Sequence, residues 1–170
     1  MAYTQPNLIS ICDGLECLNN SDFRNENEFI DNLIPKLSAT IKEMYGLDMD
    51  GYKKEVSFLG IRHGLKFGIR PDILIKTKQD TTIIVECKNL KLGNKKGSFE
   101  SMSQMMHYKF LLDVGTQDMK YKLILATNYF EFELMQFMAY YGLDFIDIVI
   151  NKRESSGYWL NEIKEIQSNN

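Results

Sequence analysis

Cysteine is scarce and unpatterned in this chain. Cys12, Cys17 and Cys87 form an odd set with no CxxC pair, which excludes a disulfide framework and argues against structural zinc. They read as buried or bystander thiols. No apolar run approaches the ~20 residues of a membrane-spanning helix. The start lacks the basic and apolar blocks of a signal peptide, so a cytoplasmic setting is expected. No Gly-x-x-x-x-Gly-Lys-Ser/Thr phosphate loop occurs, which leaves no motor domain. Internal repeats and low-complexity linkers are absent as well. What remains is 170 residues, 44% hydrophobic and 25% charged. That suits one globular domain over 1–170, with a core over about 26–150, an irregular arm over 1–22 and a polar tail over 165–170.

The net charge of −3 argues at first against a nucleic-acid partner. Its distribution argues the other way. From Lys53 to Lys96 eleven Lys and Arg face four acids, a local +7 that leaves −10 for the rest. A basic middle between acidic ends suits a protein that lays one face on a phosphate backbone. Taken alone, the same charges also fit solvated strand edges and loops.

Periodicity sketches the elements. A short helix is expected near Leu8 to Leu18. From Glu26, Phe29, Leu33, Leu37, Ile41 and Tyr45 recur every four residues, which predicts an amphipathic helix ended by Gly46 and kinked or split at Pro35. Glu55 to Ile61 reads as a first strand, turning at Gly64 into a second from Phe67 to Ile75. Pro71 inside that second run predicts a bulge that re-aims Asp72. The turn Thr77-Lys78-Gln79-Asp80 leads into a third strand, from Thr82 to Lys88. After a basic loop with Lys91, Lys95 and Lys96, Ser98 is the expected N-cap of a helix to about Leu112. Phe99, Met102, Met106 and Phe110 are its expected core stripe, with Gln104 and Tyr108 sharing another face. Strands at Tyr121 to Thr127 and Phe145 to Ile150 enclose a helix from Phe130 to Tyr141, and Tyr158 to Ile163 suggests an edge strand.

The hairpin of the second and third strands carries charge where a sheet should be apolar. Glu86 and Lys88 share a face of their strand, and Asp72 lies on the paired one. Two carboxylates and an ammonium are costly to bury without compensation. The set makes sense for phosphodiester hydrolysis. Asp72 and Glu86 are hard oxygen ligands for Mg²⁺, with Mn²⁺ as a substitute, and the Cys87 carbonyl completes the donors. Lys88 is placed to orient or deprotonate water and to stabilise charge on phosphorus. The bland alternatives are a strand-end acid at Asp72, a snorkelling Lys88 and an ordinary helix face at Gln104 and Tyr108.

Pro71-Asp72, Glu86-Cys87-Lys88 and Gln104-x-x-x-Tyr108 together resemble the PD-(D/E)xK nuclease superfamily. The closest pattern is that of RecB-like nucleases and the N-terminal nuclease domain of type I restriction enzymes; the cysteine set of iron–sulfur RecB-like members is missing. The resemblance implies an α/β fold with a restriction-endonuclease-like αβββαβ core, its mixed central sheet flanked by helices. It implies a Mg²⁺-dependent deoxyribonuclease whose catalytic set is Asp72, Glu86, Lys88, Gln104 and an acid from the first helix, Glu28 with Glu26 as alternate. DNA is the implied partner, contacted by Arg70, Lys66, Lys91, Lys95, Lys96 and Tyr108. With one site per chain, double-strand cleavage requires a homodimer or two successive nicks. The alternative is a non-catalytic DNA- or partner-binding module on the same fold.

Overall fold

The computed structural model describes residues 8–10, 23–62, 65–90, 95–115, 119–128 and 132–147. The elements run β1 (Leu8–Ser10), α1 (Glu26–Tyr45), β2 (Met49–Lys54), β3 (Phe58–Arg62), β4 (Leu65–Ile69), β5 (Ile73–Thr77), β6 (Thr82–Lys88), α2 (Lys95–Gly115), β7 (Tyr121–Thr127), α3 (Phe132–Tyr141) and β8 (Asp144–Asp147). A mixed sheet orders its strands β1-β8-β7-β6-β5-β2. β6, β7, β8 and β1 run parallel, while β5 and β2 pair antiparallel. Within it α1, β2, β5, β6, α2 and β7 reproduce the expected αβββαβ order. The β3–β4 hairpin is interposed as a separate small sheet.

The centre of the sheet is apolar on both faces because helices cover both. Ile73, Ile75, Ile83, Val85, Cys87, Ile124 and Ala126 pack with Phe29, Leu33, Leu37 and Ile41 of α1. On the other face Leu74, Ile84, Leu123 and Leu125 meet Met105, Tyr108 and Leu112 of α2 and Leu134 and Met138 of α3. Asn25 caps α1 by accepting the Glu28 N–H. Gly46, at φ 68°, closes it in the left-handed region where glycine carries no Cβ penalty. Pro35 removes one donor yet α1 is continuous. Buried apolar side chains on both sides of the proline hold the helix against the sheet.

The strand expectations need correction around the site. The first core strand is β2, not Glu55 to Ile61: β2 ends where Glu55 takes a left-handed φ of 47°. The chain then enters the β3–β4 pair. Nor is Phe67 to Ile75 one bulged strand. It is split between β4 and β5 at Arg70-Pro71-Asp72, a stronger break than a bulge, as suits a proline that cannot donate to the ladder. An unbroken pleat would keep Ile69 and Ile73 on one face; the break places Ile69 in the α2-side core and Ile73 in the α1-side core. The β5–β6 hairpin forms as expected, with Ile73 opposite Val85 and Thr77 Oγ1 donating to the Thr81 carbonyl across the turn.

α2 begins at Lys95, so Ser98 is buried within it and is not its cap. Its core stripe is Ser98, Ser101, Met105, Tyr108 and Leu112. Phe99 and Phe110 are 68% and 61% exposed, the reverse of the expected placement. Leu8–Ser10 is a strand against β8, not part of a helix. The rest of that expected helix, the last residues of the strand to Ile150 and the edge strand over 158–163 lie outside the described residues. No helix among the described residues is long and apolar enough to cross a membrane.

Candidate active site

The charged residues gather where β6 leaves the sheet, beside the start of α1 and one flank of α2. Glu86 is only 2% exposed. Strand alternation aims it at α2, since its neighbour Ile84 lies in the α2-side core. Its Oε1 accepts from Lys88 Nζ at 2.7 Å and from Gln104 Nε2 at 2.5 Å. Its Oε2 is buried without a hydrogen-bond partner. Burial, reinforced by the nearby Asp72 carboxylate, pushes the Glu86 carboxyl up to about 7 against the pull of Lys88.

Asp72 sits one residue before β5, opposite Glu86 if the Ile73–Val85 register is extended. The ladder has stopped there. The Asp72 carboxylate takes the place of the next strand residue, its Oδ2 accepting the Cys87 N–H at 2.6 Å. Because N–H and C=O of a strand residue face one edge, the Cys87 carbonyl is directed to the same side. The Asp72 corner is held from two further directions. Glu55 N–H donates to the Asp72 carbonyl at 2.9 Å, and the Tyr108 hydroxyl donates to the Arg70 carbonyl at 3.0 Å. Gln104 Nε2 also donates to the Tyr108 hydroxyl at 3.1 Å, so one helix face braces both Glu86 and the Asp72 corner. Asp72 is raised by burial above its ordinary carboxyl value, although the Cys87 N–H lowers it.

Lys88 is half-buried among acids. Burial works to lower its pKa, but Glu86, Glu26 and Asp72 outweigh it and raise it. It is therefore a held ammonium, which favours orienting and charge-stabilising roles over deprotonating water. Glu26 Oε2 lies 3.9 Å from Lys88 Nζ. Burial raises the Glu26 carboxyl, with Lys88 opposing. Glu28 instead completes the helix cap: its carboxylate accepts the Arg24 N–H at 2.8 Å while its own N–H goes to Asn25. The first-helix acid beside Lys88 is thus Glu26, the alternate of the two, while Glu28 is engaged at the helix end. Asn25-x-x-Glu28 has capping-box spacing, the signal that reserves Glu28 for the helix end.

The expected nucleic-acid contacts divide. Tyr108 is 6% exposed with its hydroxyl engaged, so it serves the site from within and is not a surface contact. Arg70 is exposed at the lip and paired with Glu55 at 2.8 Å. Lys95 and Lys96 are exposed and loosely paired with Glu133 and Glu100 at 3.6 and 3.7 Å. Lys66 lies on β4 opposite Ile61, and Lys91 falls outside the described residues. Unforeseen from sequence are Glu55, Asn89 and Asn128. Asn89 and Asn128 follow β6 and β7 and bond to each other.

Among the described residues no group of three or more His, Cys, Asp or Glu side chains is set to hold a metal. The available donors are two carboxylates and a main-chain carbonyl. Such a set fits Mg²⁺, which keeps several waters and takes one or two carboxylates plus substrate phosphate. The partnerless Glu86 Oε2 is the observation in favour, because a buried carboxylate oxygen without a donor is costly.

No family model matches the chain, and no curated protein matches it in sequence. Among solved structures it is similar to a repair endonuclease from Pyrococcus abyssi at 19% identity and a TM-score of 0.45, covering 75% of this chain and 48% of that one. It is also similar to the small subunit of the heterodimeric restriction endonuclease R.BspD6I, at 15% identity and a TM-score of 0.36, covering 69% and 68%. Protein VC1899 from Vibrio cholerae is similar at 13% identity and a TM-score of 0.44, covering 74% of this chain and 33% of that one. The chain spans less than half the length of the Pyrococcus protein. These likenesses are too distant to carry anything about activity; the restriction-endonuclease-like order stands on the chain's own topology.

Proposed function

We propose that this chain is a metal-dependent nuclease of the PD-(D/E)xK type that hydrolyses DNA phosphodiester bonds. The observation that carries the reading is the state of Glu86: one oxygen is fixed by Lys88 and Gln104, the other is buried without a donor. Asp72, Glu86 and the Cys87 carbonyl would hold Mg²⁺ or Mn²⁺. When bound, the ion supplies Lewis-acid polarisation of the scissile phosphate. Lys88, kept charged by its acidic neighbours, orients the phosphate and water and offsets charge that develops on phosphorus. The Glu26 carboxylate, 3.9 Å away, adds to the negative charge around the ammonium. Gln104 fixes the Glu86 carboxylate so that only one of its oxygens is committed within the protein. Arg70, with Lys66, Lys91, Lys95 and Lys96, supplies charge for the DNA backbone. Digestion of labelled linear, circular, single-stranded and branched DNA with Mg²⁺ or Mn²⁺ tests the reading, and product ends distinguish exonuclease from endonuclease cutting. Failure of every substrate with both ions contradicts it.

A non-catalytic module on the same fold is favoured by one observation, the 2.7 Å pairing of Lys88 with Glu86, which offsets both charges without a metal. Calorimetry separates the two. The module predicts salt-sensitive DNA binding with no uptake of Mg²⁺ or Mn²⁺.

A further inference from the structure

A polar chain runs across the ends of β6 and β7, next to the carboxylate–lysine group but outside it. Asn128 follows β7 directly and is buried. Its Oδ1 accepts the Leu90 N–H at 2.7 Å, and its Nδ2 donates to Asn89 Oδ1 at 2.9 Å. Asn89 Nδ2 in turn donates to the Phe23 carbonyl at 2.8 Å. Phe23 is buried on the α1 side and packs edge-on against Phe29, with ring centroids 5.3 Å apart. It stands two residues before the N-cap Asn25 and three before Glu26. The Asn89 main-chain N–H also bears on the Glu26 carboxylate. Both amide groups of the asparagine pair are used on backbone or on each other. The segment that leaves β6 just after Lys88 is thereby tied on one side to β7 and on the other to the entry of α1.

The consequence is geometric. Glu26 and Lys88 come from elements far apart in sequence, and their 3.9 Å approach depends on where α1 starts relative to the end of β6. Apolar packing fixes the helix axis over the sheet, but packing is non-directional and does not set the start of the helix to within an ångström. Directed hydrogen bonds to the Phe23 carbonyl and the Leu90 N–H do. We propose that Asn128 is a positioning residue: through Asn89 it clamps the exit of β6 to the entry of α1 and so sets Glu26 against Lys88. Its place in catalysis rests on the nuclease reading, but the clamp itself does not.

A double-mutant cycle between Asn128→Ala and Glu26→Gln in the full chain tests this, read in two ways. The first readout is the urea midpoint of the metal-free protein. If Asn128 acts on Glu26, the two shifts are non-additive, because the Glu26–Lys88 contact is already lost once the clamp is removed. The second is the cleavage kinetics. Asn128→Ala lowers kcat by about tenfold or more with KM nearly unchanged, and adding Glu26→Gln lowers it little further. Additive shifts in the urea midpoint, or a fall in activity that matches only the loss of folded protein, overturn the clamp. Should Asn128→Ala not fold, Asn128→Ser, too short to reach both Leu90 and Asn89, runs the same cycle. A wild-type chain that cuts no DNA defeats the nuclease reading, while the urea cycle still decides the clamp.

Discussion

At the scale of single residues, the site is an arrangement of acids whose carboxyl pKa values burial raises above their ordinary range. Glu86 rises from an ordinary 4.5 to about 7, first because it is buried and then because Asp72 is near. The folded chain therefore holds a proton that the unfolded chain sheds above pH 4.5. The stability this gives is full below the unfolded value and is lost as pH rises through the folded one. Metal-free wild type should lose stability relative to Glu86→Gln between about pH 5 and about pH 8, by roughly 3 kcal/mol at most. Urea melts of both proteins at the two pH values check this; parallel curves contradict it. The two first-helix acids should separate as cleanly. Glu26→Gln lowers kcat, whereas Glu28→Gln leaves kcat intact and costs up to about 1 kcal/mol through the cap, as kinetics and melts on the same samples would show. Sequence spacing alone points to Asp72, Glu86 and Lys88 because charge on an apolar hairpin stands out. It misses Asn89 and Asn128, since an asparagine after a strand looks like any turn residue until its partner is known.

At the scale of elements, α1 and the β5–β6 hairpin are legible because their periods are clean. The regions around Glu55 and Pro71 are not. A run such as Phe67 to Ile75 keeps strand-like composition across a proline, and nothing local says that its halves join different sheets. The register of α2 is misread for a related reason: its phenylalanines draw the eye, while its buried stripe includes Ser98 and Ser101. Ser101 fits there because its hydroxyl bonds back to the Gly97 carbonyl at 2.8 Å. The placement has measurable consequences. Met105→Ala should cost 2–5 kcal/mol, by approximate analogy with other buried methionines. Phe99→Ser, on the exposed face, should change stability by less than about 0.5 kcal/mol. Denaturant unfolding of the two variants decides it, and a larger loss from Phe99→Ser would return the helix to the register first expected.

At the scale of the whole molecule, the mixed sheet sets β6 beside β5 on one edge and β7 on the other. The end of β6 thus meets the start of α1, the flank of α2 and the corner before β5 in one place. The αβββαβ order is legible in the sequence, and so is an acid from the first helix; the contributions of Glu55 and Asn128, and the nearness of Glu26 to Lys88, come from chain crossings that no local pattern encodes. A divalent ion that binds this site in the folded chain alone must stabilise the whole protein, by about 2.7 kcal/mol at a hundred times its Kd. Melting with and without Mn²⁺ should show that gain in wild type and its absence in Asp72→Asn/Glu86→Gln. The most direct test of the central claim is cleavage of labelled DNA by wild type and Lys88→Ala, with Mg²⁺ or Mn²⁺ and with chelator. Ion-dependent cutting by wild type that is lost in a folded Lys88→Ala is the predicted result; full activity in Lys88→Ala, or cutting indifferent to chelator, would contradict it.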